Sequence, residues 1–310
     1  MSRLRIAVIG VGHLGQHHAR LLAAMENVEL VGVVDTRSGR AEEIAAKFAT
    51  RAFTNANDVR LMVDAVTVAV PTESHLEVAM PFIEQSCAVL VEKPLAPSIA
   101  DADRLIGAAA RRGSLLAAGH TERFNPAVSA ALPLVSNPRF VEVHRLGVFP
   151  DRSLDIDVIF DLMIHDLDLL LASVRSDVTS IEAVGVHVLS SRTDIANVRL
   201  RFASGCIANL TASRISRERV RKARFFQHDS YVSIDFASQE VEVYRTVRSN
   251  GRPSIQGGKL DVVADEPLRR ELEDFVEAAR TGRPPGVPAQ AGRDALALAT
   301  RIAEEMEAAL

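Results

Sequence analysis

Three glycines, Gly10, Gly12 and Gly15, interrupt an apolar run near the start of the chain with the spacing G-x-G-x-x-G. The run before them, "IAVI", is typical of a strand buried on both faces, and leucines after them recur at helical spacing. In such a unit the first glycine permits a sharp turn, the second lets the backbone approach a phosphate, and the third packs helix on strand. The free N–H groups and the dipole of the helix N-terminus favour an anion. The pattern predicts a phosphate-binding turn, and the alternative is a strand–turn–helix unit that binds no ligand.

A carboxylate follows at the distance that a dinucleotide site requires. Asp35 ends the next apolar run, "VELVGVVD", 20 residues after Gly15, and an acid at this spacing binds the adenosine ribose hydroxyls. We expect NAD rather than NADP, because Asp35 would repel a 2′-phosphate, although Arg37 would soften that preference. His17 and His18 are expected on the helix surface behind the turn.

Two later strands end in residues that could face the same ligand, since ligands of open parallel sheets bind beyond the carboxyl ends of the strands. "DAVTVAV" ends at Val70, with Pro71 next and His75 one turn later; this segment either lines a nicotinamide pocket or simply starts a helix. "CAVLVEKP" ends in the triplet Glu92–Pro94. Lys93 there could polarise a substrate oxygen or hold an alkoxide. A surface Glu–Lys pair is the alternative.

A second set of candidate catalytic residues lies in "FDLMIHDLDLLL". Asp161, His165 and Asp168 fall at i, i+4 and i+7, so on one α-helix they share a narrow polar stripe, with Asp166 to the side. So narrow a stripe in an apolar helix indicates an enclosed polar site, in which His165 exchanges a proton and a carboxylate orients its ring. A helix that exposes one thin edge is the alternative. A metal site is disfavoured, because no other cluster supplies a third ligand.

"GHTERFNPAVSAAL", beginning at Gly119, adds candidates for substrate binding. Asn125 followed by Pro126 is a helix N-cap with proline at the first helical position, which explains both residues without a ligand. Arg123 has no such explanation, and its guanidinium could bind an anionic substrate. The segment "SRISRERVRK" offers further cations, with a solvated basic loop as the alternative: Arg214, Arg217 and Lys222.

The elements that must position these residues change character near residue 120. Up to there, strand-like and helix-like segments alternate, as in a parallel α/β sheet. Beyond it, consecutive strand-like runs alternate apolar and polar residues, with Ser204–Gly205 as a hairpin turn, one helical insertion and two closing helices. We predict an α/β protein with a Rossmann domain over residues 1–119. An α+β domain over residues 120–310 would carry a largely antiparallel open sheet, and its last helix could pack on the Rossmann domain.

Composition bounds the class of protein. The 310 residues, 47 % hydrophobic and 25 % charged with a net charge of −4, predict a two-domain globular protein with no attraction to nucleic acid. No apolar stretch is long enough for a membrane span, and "MSRLRIAVIG" leads directly into the first strand, so we expect a cytoplasmic protein without a signal peptide. Cys87 and Cys206 are expected to be buried thiols. An uncovered sheet face in the second domain predicts a homodimer or homotetramer.

In their order along the chain, "GVGHLG", "VVD", "VPTESH", "EKPLA", "GHTERFNPAV" and "FDLMIHDLDL" resemble the motifs of the Gfo/Idh/MocA family of nicotinamide-dependent oxidoreductases. The resemblance implies that Lys93 lies beside nicotinamide and substrate, and that Asp161 and His165 form the acid–base pair of a D-x-x-x-H motif. It implies cofactor contacts from Gly10, Gly12, His13, Leu14, Gly15, Asp35, Arg37, Val70, Pro71, His75, Glu92 and Lys93. Substrate contacts are expected from Arg123, Asn125, Asp161 and His165.

Within the family, "GHTERFNPAV" and "DLMIHDLDL" are most similar to the UDP-N-acetylglucosamine 3-dehydrogenase branch. This implies oxidation of the sugar 3-hydroxyl to a ketone, which an aminotransferase then consumes in amino-sugar synthesis of the lipid A type. His165 would take the hydroxyl proton with Lys93 on the same oxygen, and either residue could be the base. An inositol or simple-sugar dehydrogenase of the same family is one alternative. A non-catalytic NAD-sensing regulator is the other, disfavoured by the presence of Lys93, Asp161 and His165 and by the lack of a DNA-binding helix pair.

Overall fold

The computed structural model describes residues 3–149, 156–249 and 252–308. The chain forms two compact units, the first comprising Met1–Thr121 and Leu268–Asp294, the second Glu122–Pro267 and Ala295–Leu310. Residues 268–294 therefore group with the first unit, whereas the change of pattern near residue 120 predicts them in the second domain. The reason is an apolar stripe in this segment: Leu272, Phe275 and Val276 are buried in the core of the first unit.

The first unit is built on a parallel sheet. Its strands are β1 (Leu4–Ile9), β2 (Val28–Val34), β3 (Arg51–Phe53), β4 (Ala65–Val68), β5 (Ala88–Glu92) and β6 (Leu116–Gly119). They run parallel in the order β3-β2-β1-β4-β5-β6. The Rossmann-like prediction is confirmed, except that β3 was not predicted. The order reverses between β1 and β4, and ligands of such sheets bind beyond the strand ends at that point.

Four helices alternate with these strands, as the pattern predicted: α1 (Gly15–Ala23), α2 (Ser38–Lys47), α3 (His75–Ile83) and α4 (Ile99–Arg112). The Ser98 hydroxyl caps α4 by accepting the Asp101 N–H, and Gly113 ends the helix with a φ of 64°. The left-handed conformation at Gly113 explains why a glycine marks this helix end in the sequence.

The second unit is built on an open, mostly antiparallel sheet of eight strands. Their bounds are β7 (Phe140–Leu146), β8 (Val178–Val186), β9 (Ile195–Phe202), β10 (Ile207–Ser213), β11 (Val220–Phe226), β12 (Ser230–Asp235), β13 (Glu240–Ser249) and β14 (Arg252–Lys259). The order is β14-β13-β12-β11-β7-β10-β9-β8, and only the β7–β10 pair among them is parallel. The predicted antiparallel layout is confirmed, and Gly205, with a φ of 81°, lies at the predicted β9–β10 turn.

Alternation along these strands buries one face of the sheet. Val141 and Val143 of β7 pack in a core with helices α5 (Pro126–Ala131) and α6 (Ile164–Val174). Helices α7 (Pro267–Thr281) and α8 (Ala289–Ala308) close the chain. Both cysteines are buried thiols as expected, and burial raises the pKa of Cys206 to about 11. Within the described ranges, no helix combines the length and apolar character that crossing a membrane requires.

Candidate active site

The glycine turn is closed toward the protein and open at its centre. Gly10 has a φ of 85°, and a side chain there would meet the Ala69 carbonyl oxygen at 2.7 Å. A side chain at Gly15 would collide with the Gly10 carbonyl. In the part of the chain that the structure describes, nothing beyond its chain neighbours lies within 4 Å of a Cβ built on Gly12. Gly12 is the position at which a pyrophosphate would approach the backbone, so the geometry fits the predicted dinucleotide.

Asp35 is held just beyond the end of β2 by N–H donors. Its carboxylate accepts hydrogen bonds from the Val11 N–H at 3.2 Å, from the Arg37 N–H at 3.0 Å and from Arg37 Nε at 3.2 Å. Burial alone would raise the pKa of this carboxyl, but the hydrogen bonds from Arg37 and Val11 outweigh burial and lower it below its ordinary value. Asp35 is therefore ionised at neutral pH, as an acceptor for ribose hydroxyls must be.

Arg40, on α2, also contacts the glycine turn, although no sequence motif singled it out. Its Nε donates to the Val11 carbonyl oxygen at 2.8 Å, and its Nη2 donates to Gln16 Oε1 at 3.0 Å. The guanidinium thus ties the first turn of α2 to the glycine turn. Arg40 and Val11 are 29 residues apart, so only the tertiary structure reveals the contact.

His75 is buried between two strand ends instead of lining an open pocket. Its Nδ1 lies 2.9 Å from the Pro94 carbonyl oxygen and its Nε2 lies 3.0 Å from the Val70 carbonyl oxygen. Burial lowers the pKa of His75, and the two carbonyl contacts act in the opposite direction. His75 thus connects the ends of β4 and β5, and the cofactor contact expected of it from the sequence stays a prediction. Val70 is half-buried and Pro71 is exposed at the same strand end.

Glu92 is buried at the end of β5, and Lys93 follows it directly beyond the carboxyl end of that strand. Glu92 Oε1 lies 3.0 Å from His18 Nε2, and Oε2 accepts the Lys93 backbone N–H at 3.3 Å. His18 has no exposed surface, so its predicted place on the helix surface is wrong. The physical reason is that α1 packs closely on the sheet after Gly15 and turns His18 inward. Lys93 itself is half-buried and precedes Pro94 through a cis peptide bond.

Asp161 and His165 lie where the buried helix of the second unit begins. Asp161 is in a π-helical segment, Ile159–Met163, and His165 is in the first turn of α6. A π turn contains more residues than an α turn, so residues four apart come closer to the same angular position than on a regular α-helix. Both side chains are half-buried. The π segment was not predicted, and it strengthens the expected alignment of this pair on one face.

The other two acids of this helix pair with arginines. Asp168 is 2 % exposed and accepts from Arg123 Nε at 2.8 Å, so it is turned toward Arg123 as a buried ion pair. Asp166, expected at the side of the helix, is also 2 % exposed and receives two hydrogen bonds from Arg145 of β7, at 2.7 and 2.8 Å. Burial raises the pKa of Asp166, with Arg145 acting against that shift. These two ion pairs fix the orientation of the helix that carries His165.

Asn125, a predicted substrate contact, and Arg214, a candidate cation, are both buried and hydrogen-bonded within the protein. Asn125 is buried, with Oδ1 accepting the Ala127 N–H at 3.0 Å as a helix cap and Nδ2 donating to the Phe236 carbonyl oxygen at 3.0 Å. Arg214 is buried against Asp194 at 2.8 Å, so it is not a cation of the basic loop. Lys222 pairs with Asp235 at 3.2 Å, and Arg217 is exposed. In residues 3–149, 156–249 and 252–308, no group of three or more His, Cys, Asp or Glu side chains could hold a metal ion.

Comparison with known proteins extends along the whole chain. Residues 4–120 match a family model described as "Oxidoreductase family, NAD-binding Rossmann fold", and residues 138–234 match one described as "GFO/IDH/MocA C-terminal domain". The chain is 39 % identical to UDP-N-acetylglucosamine 3-dehydrogenase from Acidithiobacillus ferrooxidans over 313 residues, covering 100 % of this chain and 99 % of that protein. A solved structure of that enzyme matches with a TM-score of 0.93 and 38 % identity over 99 % of both chains. Myo-inositol 2-dehydrogenase from Thermotoga maritima is 25 % identical over 323 residues, covering 98 % and 96 % of the two chains.

Proposed function

The chain belongs to the Gfo/Idh/MocA family of oxidoreductases, and on this premise we propose that it oxidises the 3-hydroxyl of UDP-N-acetylglucosamine to a ketone with NAD. The observation that carries the proposal is the similarity to the A. ferrooxidans 3-dehydrogenase, which runs through both units. The inositol dehydrogenases are similar over most of the chain at lower identity. An inositol is therefore the second candidate substrate.

The residues of the first unit fit the cofactor. When bound, NAD supplies the hydride acceptor. The open backbone at Gly12 and the N-terminus of α1 would hold its pyrophosphate, Asp35 its ribose hydroxyls, and Val70–Pro71 would border its nicotinamide. The ionised Asp35 disfavours a 2′-phosphate, so NAD is preferred to NADP.

In the proposed reaction His165 would take the proton of the sugar hydroxyl, and bound NAD would supply the acceptor for the hydride on C3. Asp161 orients the imidazole, and the common face that the π segment gives the two residues supports this role. Lys93 donates a hydrogen bond to the same oxygen and stabilises the negative charge that develops on it. These roles follow the "EKP" and D-x-x-x-H motifs, position by position.

Arg123 is our candidate for the substrate diphosphate. Its Nε donates to Asp168 at 2.8 Å, and the two terminal nitrogens of Arg123 make no hydrogen bond to the described residues. A guanidinium fixed at Nε presents its remaining N–H groups in a planar fork, which suits the bidentate recognition of phosphate oxygens. The exposed Arg217 would add a second positive charge.

We further propose that the protein is a cytoplasmic homodimer or homotetramer assembled through the open face of the second sheet. An aromatic row crosses β7, β11, β12 and β13 on this face, with neighbouring ring centroids 5.1 to 6.2 Å apart: Phe140, Phe226, Tyr231 and Tyr244. Phe226 and Tyr244 are 36 % and 37 % exposed. A contiguous exposed aromatic surface marks an interaction site, and a second copy of this sheet would cover it.

The test of the substrate is product trapping. The purified protein is incubated with NAD and UDP-N-acetylglucosamine, together with an aminotransferase and glutamate that convert the unfavourable ketone to an amine. Mass spectrometry should then show a 3-amino sugar nucleotide, which would also support the aminotransferase as the consumer of the product. Failure of trapping while a free sugar or an inositol reduces NAD would overturn the nucleotide-sugar assignment. Binding of NAD without turnover of the nucleotide sugar, a free sugar or an inositol would favour a regulator.

A further inference from the structure

Lys93 stands between two residues that are each held by a buried histidine. Glu92, before it, meets His18 of α1 at 3.0 Å. The carbonyl of Pro94, after it, meets His75 of α3 at 2.9 Å. The two histidines are 0 % and 1 % exposed. They come from the helices that follow the glycine turn and the Val70–Pro71 turn, so the segments expected to hold NAD are connected to the lysine on both sides.

The contact of His18 is directional. A carboxylate only accepts, so the proton of this ring lies on Nε2 and is donated to Glu92. The opposite nitrogen, Nδ1, is buried and has no hydrogen-bond partner among the described residues. Leaving a buried polar atom without a hydrogen bond destabilises the fold, and an apolar ring in the same space would avoid that cost. The hydrogen bond to Glu92, and not packing, therefore explains why a histidine occupies position 18.

The contacts of His75 span two turns. Its Nε2 lies 3.0 Å from the Val70 carbonyl oxygen and its Nδ1 lies 2.9 Å from the Pro94 carbonyl oxygen. Both oxygens only accept, so the neutral ring donates a hydrogen bond to one of them and packs against the other. The rigid ring therefore bridges these two turns, with a hydrogen bond to one carbonyl and a packing contact with the other. The Pro94 contact lies one residue beyond Lys93, and the Val70 contact lies at the end of the neighbouring strand.

We propose that His18 and His75 are positioning residues for Lys93: together they fix the backbone on both sides of the lysine, so that its ammonium stays at the reacting oxygen. The proposal rests on the role assigned to Lys93 in the proposed function. Misplacement of a reacting group by about 1 Å costs on the order of 10²-fold in rate. The two histidines would therefore act on kcat through Lys93 without touching substrate.

Two amide substitutions separate the two contacts of His75. An asparagine amide overlays Nδ1 and keeps the contact with Pro94, whereas a glutamine amide overlays Nε2 and keeps the contact with Val70. We expect His75→Gln to lower kcat by about tenfold or more and to leave the Kd for NAD within about twofold, with His75→Asn close to wild type. In a Lys93→Met background, His75→Gln should lower kcat no further, because residues that act through one group are not additive.

A second experiment needs no substrate, so its result does not depend on whether the proposed reaction is correct. An amine-specific acylating reagent is applied to the NAD-bound protein, and modification of Lys93 is compared by mass spectrometry with that of the chain's other lysines, Lys47, Lys222 and Lys259. We expect modification of Lys93 to rise several-fold in His75→Gln and not in His75→Asn. Should His75→Gln fail to fold, His18→Phe and its donor-retaining control His18→Gln make the same comparison. Unchanged relative modification of Lys93, or additive losses of kcat with Lys93→Met, would overturn the proposal.

Discussion

At the residue scale, the proposed chemistry depends most on the ammonium of Lys93. Lys93→Met keeps the side-chain length and removes the charge, so kcat should fall by about 10²–10³-fold, the usual effect of deleting one donor to a developing oxyanion. The Kd for NAD should change by about twofold at most, because Gly12 and Asp35 are untouched. Steady-state kinetics and fluorescence titration measure both, with the exposed Lys47→Met as control. A kcat near wild type would remove Lys93 from the mechanism.

Asp35 decides between the two nicotinamide cofactors. Asp35→Ser removes an ionised acceptor and frees the Arg37 guanidinium, now paired with it at 3.2 Å, to meet a 2′-phosphate. Loss of hydrogen bonds to a charged group predicts a Kd for NAD raised by about 10- to 100-fold, with NADP used relatively better. Titration of wild type, Asp35→Ser and the exposed control Asp58→Ser with both cofactors measures the ratio. A wild-type protein that already prefers NADP would contradict this assignment.

The residues that could be predicted are those whose role follows from local spacing. Gly10, Gly12 and Gly15 lie in one turn, and Asp35 follows at a distance that the strand–helix–strand unit fixes. His18 could not be predicted, since its partner Glu92 lies 74 residues away on another strand. A pattern of neighbours along the chain does not show which face of α1 meets the end of β5.

At the element scale, the β8–β9 loop depends on one carboxylate. Asp194 accepts the backbone N–H groups of residues 188–190 at 2.6 to 2.9 Å and pairs with Arg214 at 2.8 Å. Asp194→Asn leaves Arg214 buried without its counter-charge, so the free energy of unfolding should fall by about 3 kcal/mol. Urea unfolding measures the change, with the exposed Asp229→Asn as control. Equal stability of the two variants would contradict the argument.

The same carboxylate predicts a pH dependence of stability. Burial would raise the pKa of Asp194, but hydrogen bonds from Ser190 and from the loop N–H groups outweigh burial and hold it well below its ordinary value. A carboxyl with a lowered folded-state pKa stabilises the fold above its unfolded pKa of about 3.9 and loses that contribution as the pH falls further. The stability difference between wild type and Asp194→Asn should therefore shrink below about pH 4. A difference that stays constant down to pH 2 would contradict this assignment.

The elements that could be predicted are those with a clear periodicity. The buried strands and amphipathic helices of the first unit follow their apolar patterns closely, since burial fixes which faces are apolar. β14 has no apolar alternation, because most of its side chains are exposed, and β3 is only three residues long. The π segment at Ile159–Met163 lies in an almost wholly apolar helix, where no periodicity marks the extra residue in the turn.

At the scale of the whole molecule, the open sheet face predicts self-association. Phe226 lies in the aromatic row and is 36 % exposed, so Phe226→Glu would bury a charge in an interface between two copies and disfavour it. Light scattering coupled to size exclusion should show a dimer or tetramer for wild type and a monomer for Phe226→Glu. Leu61→Glu, at a side chain 86 % exposed in the first unit, is the control. A monomeric wild type at micromolar concentration would contradict the proposed assembly.

The most direct test of the central claim follows the hydride itself. The protein is incubated with NAD and UDP-N-acetylglucosamine carrying deuterium at C3 of the sugar, and the reduced cofactor is analysed by mass spectrometry. Oxidation at the 3-hydroxyl transfers that deuterium to the nicotinamide, so the reduced cofactor should be one mass unit heavier than with unlabelled substrate. Reduced cofactor without deuterium would place the oxidation at another carbon. No reduction with this substrate, beside ready reduction with an inositol, would contradict the assignment as a 3-dehydrogenase of UDP-N-acetylglucosamine.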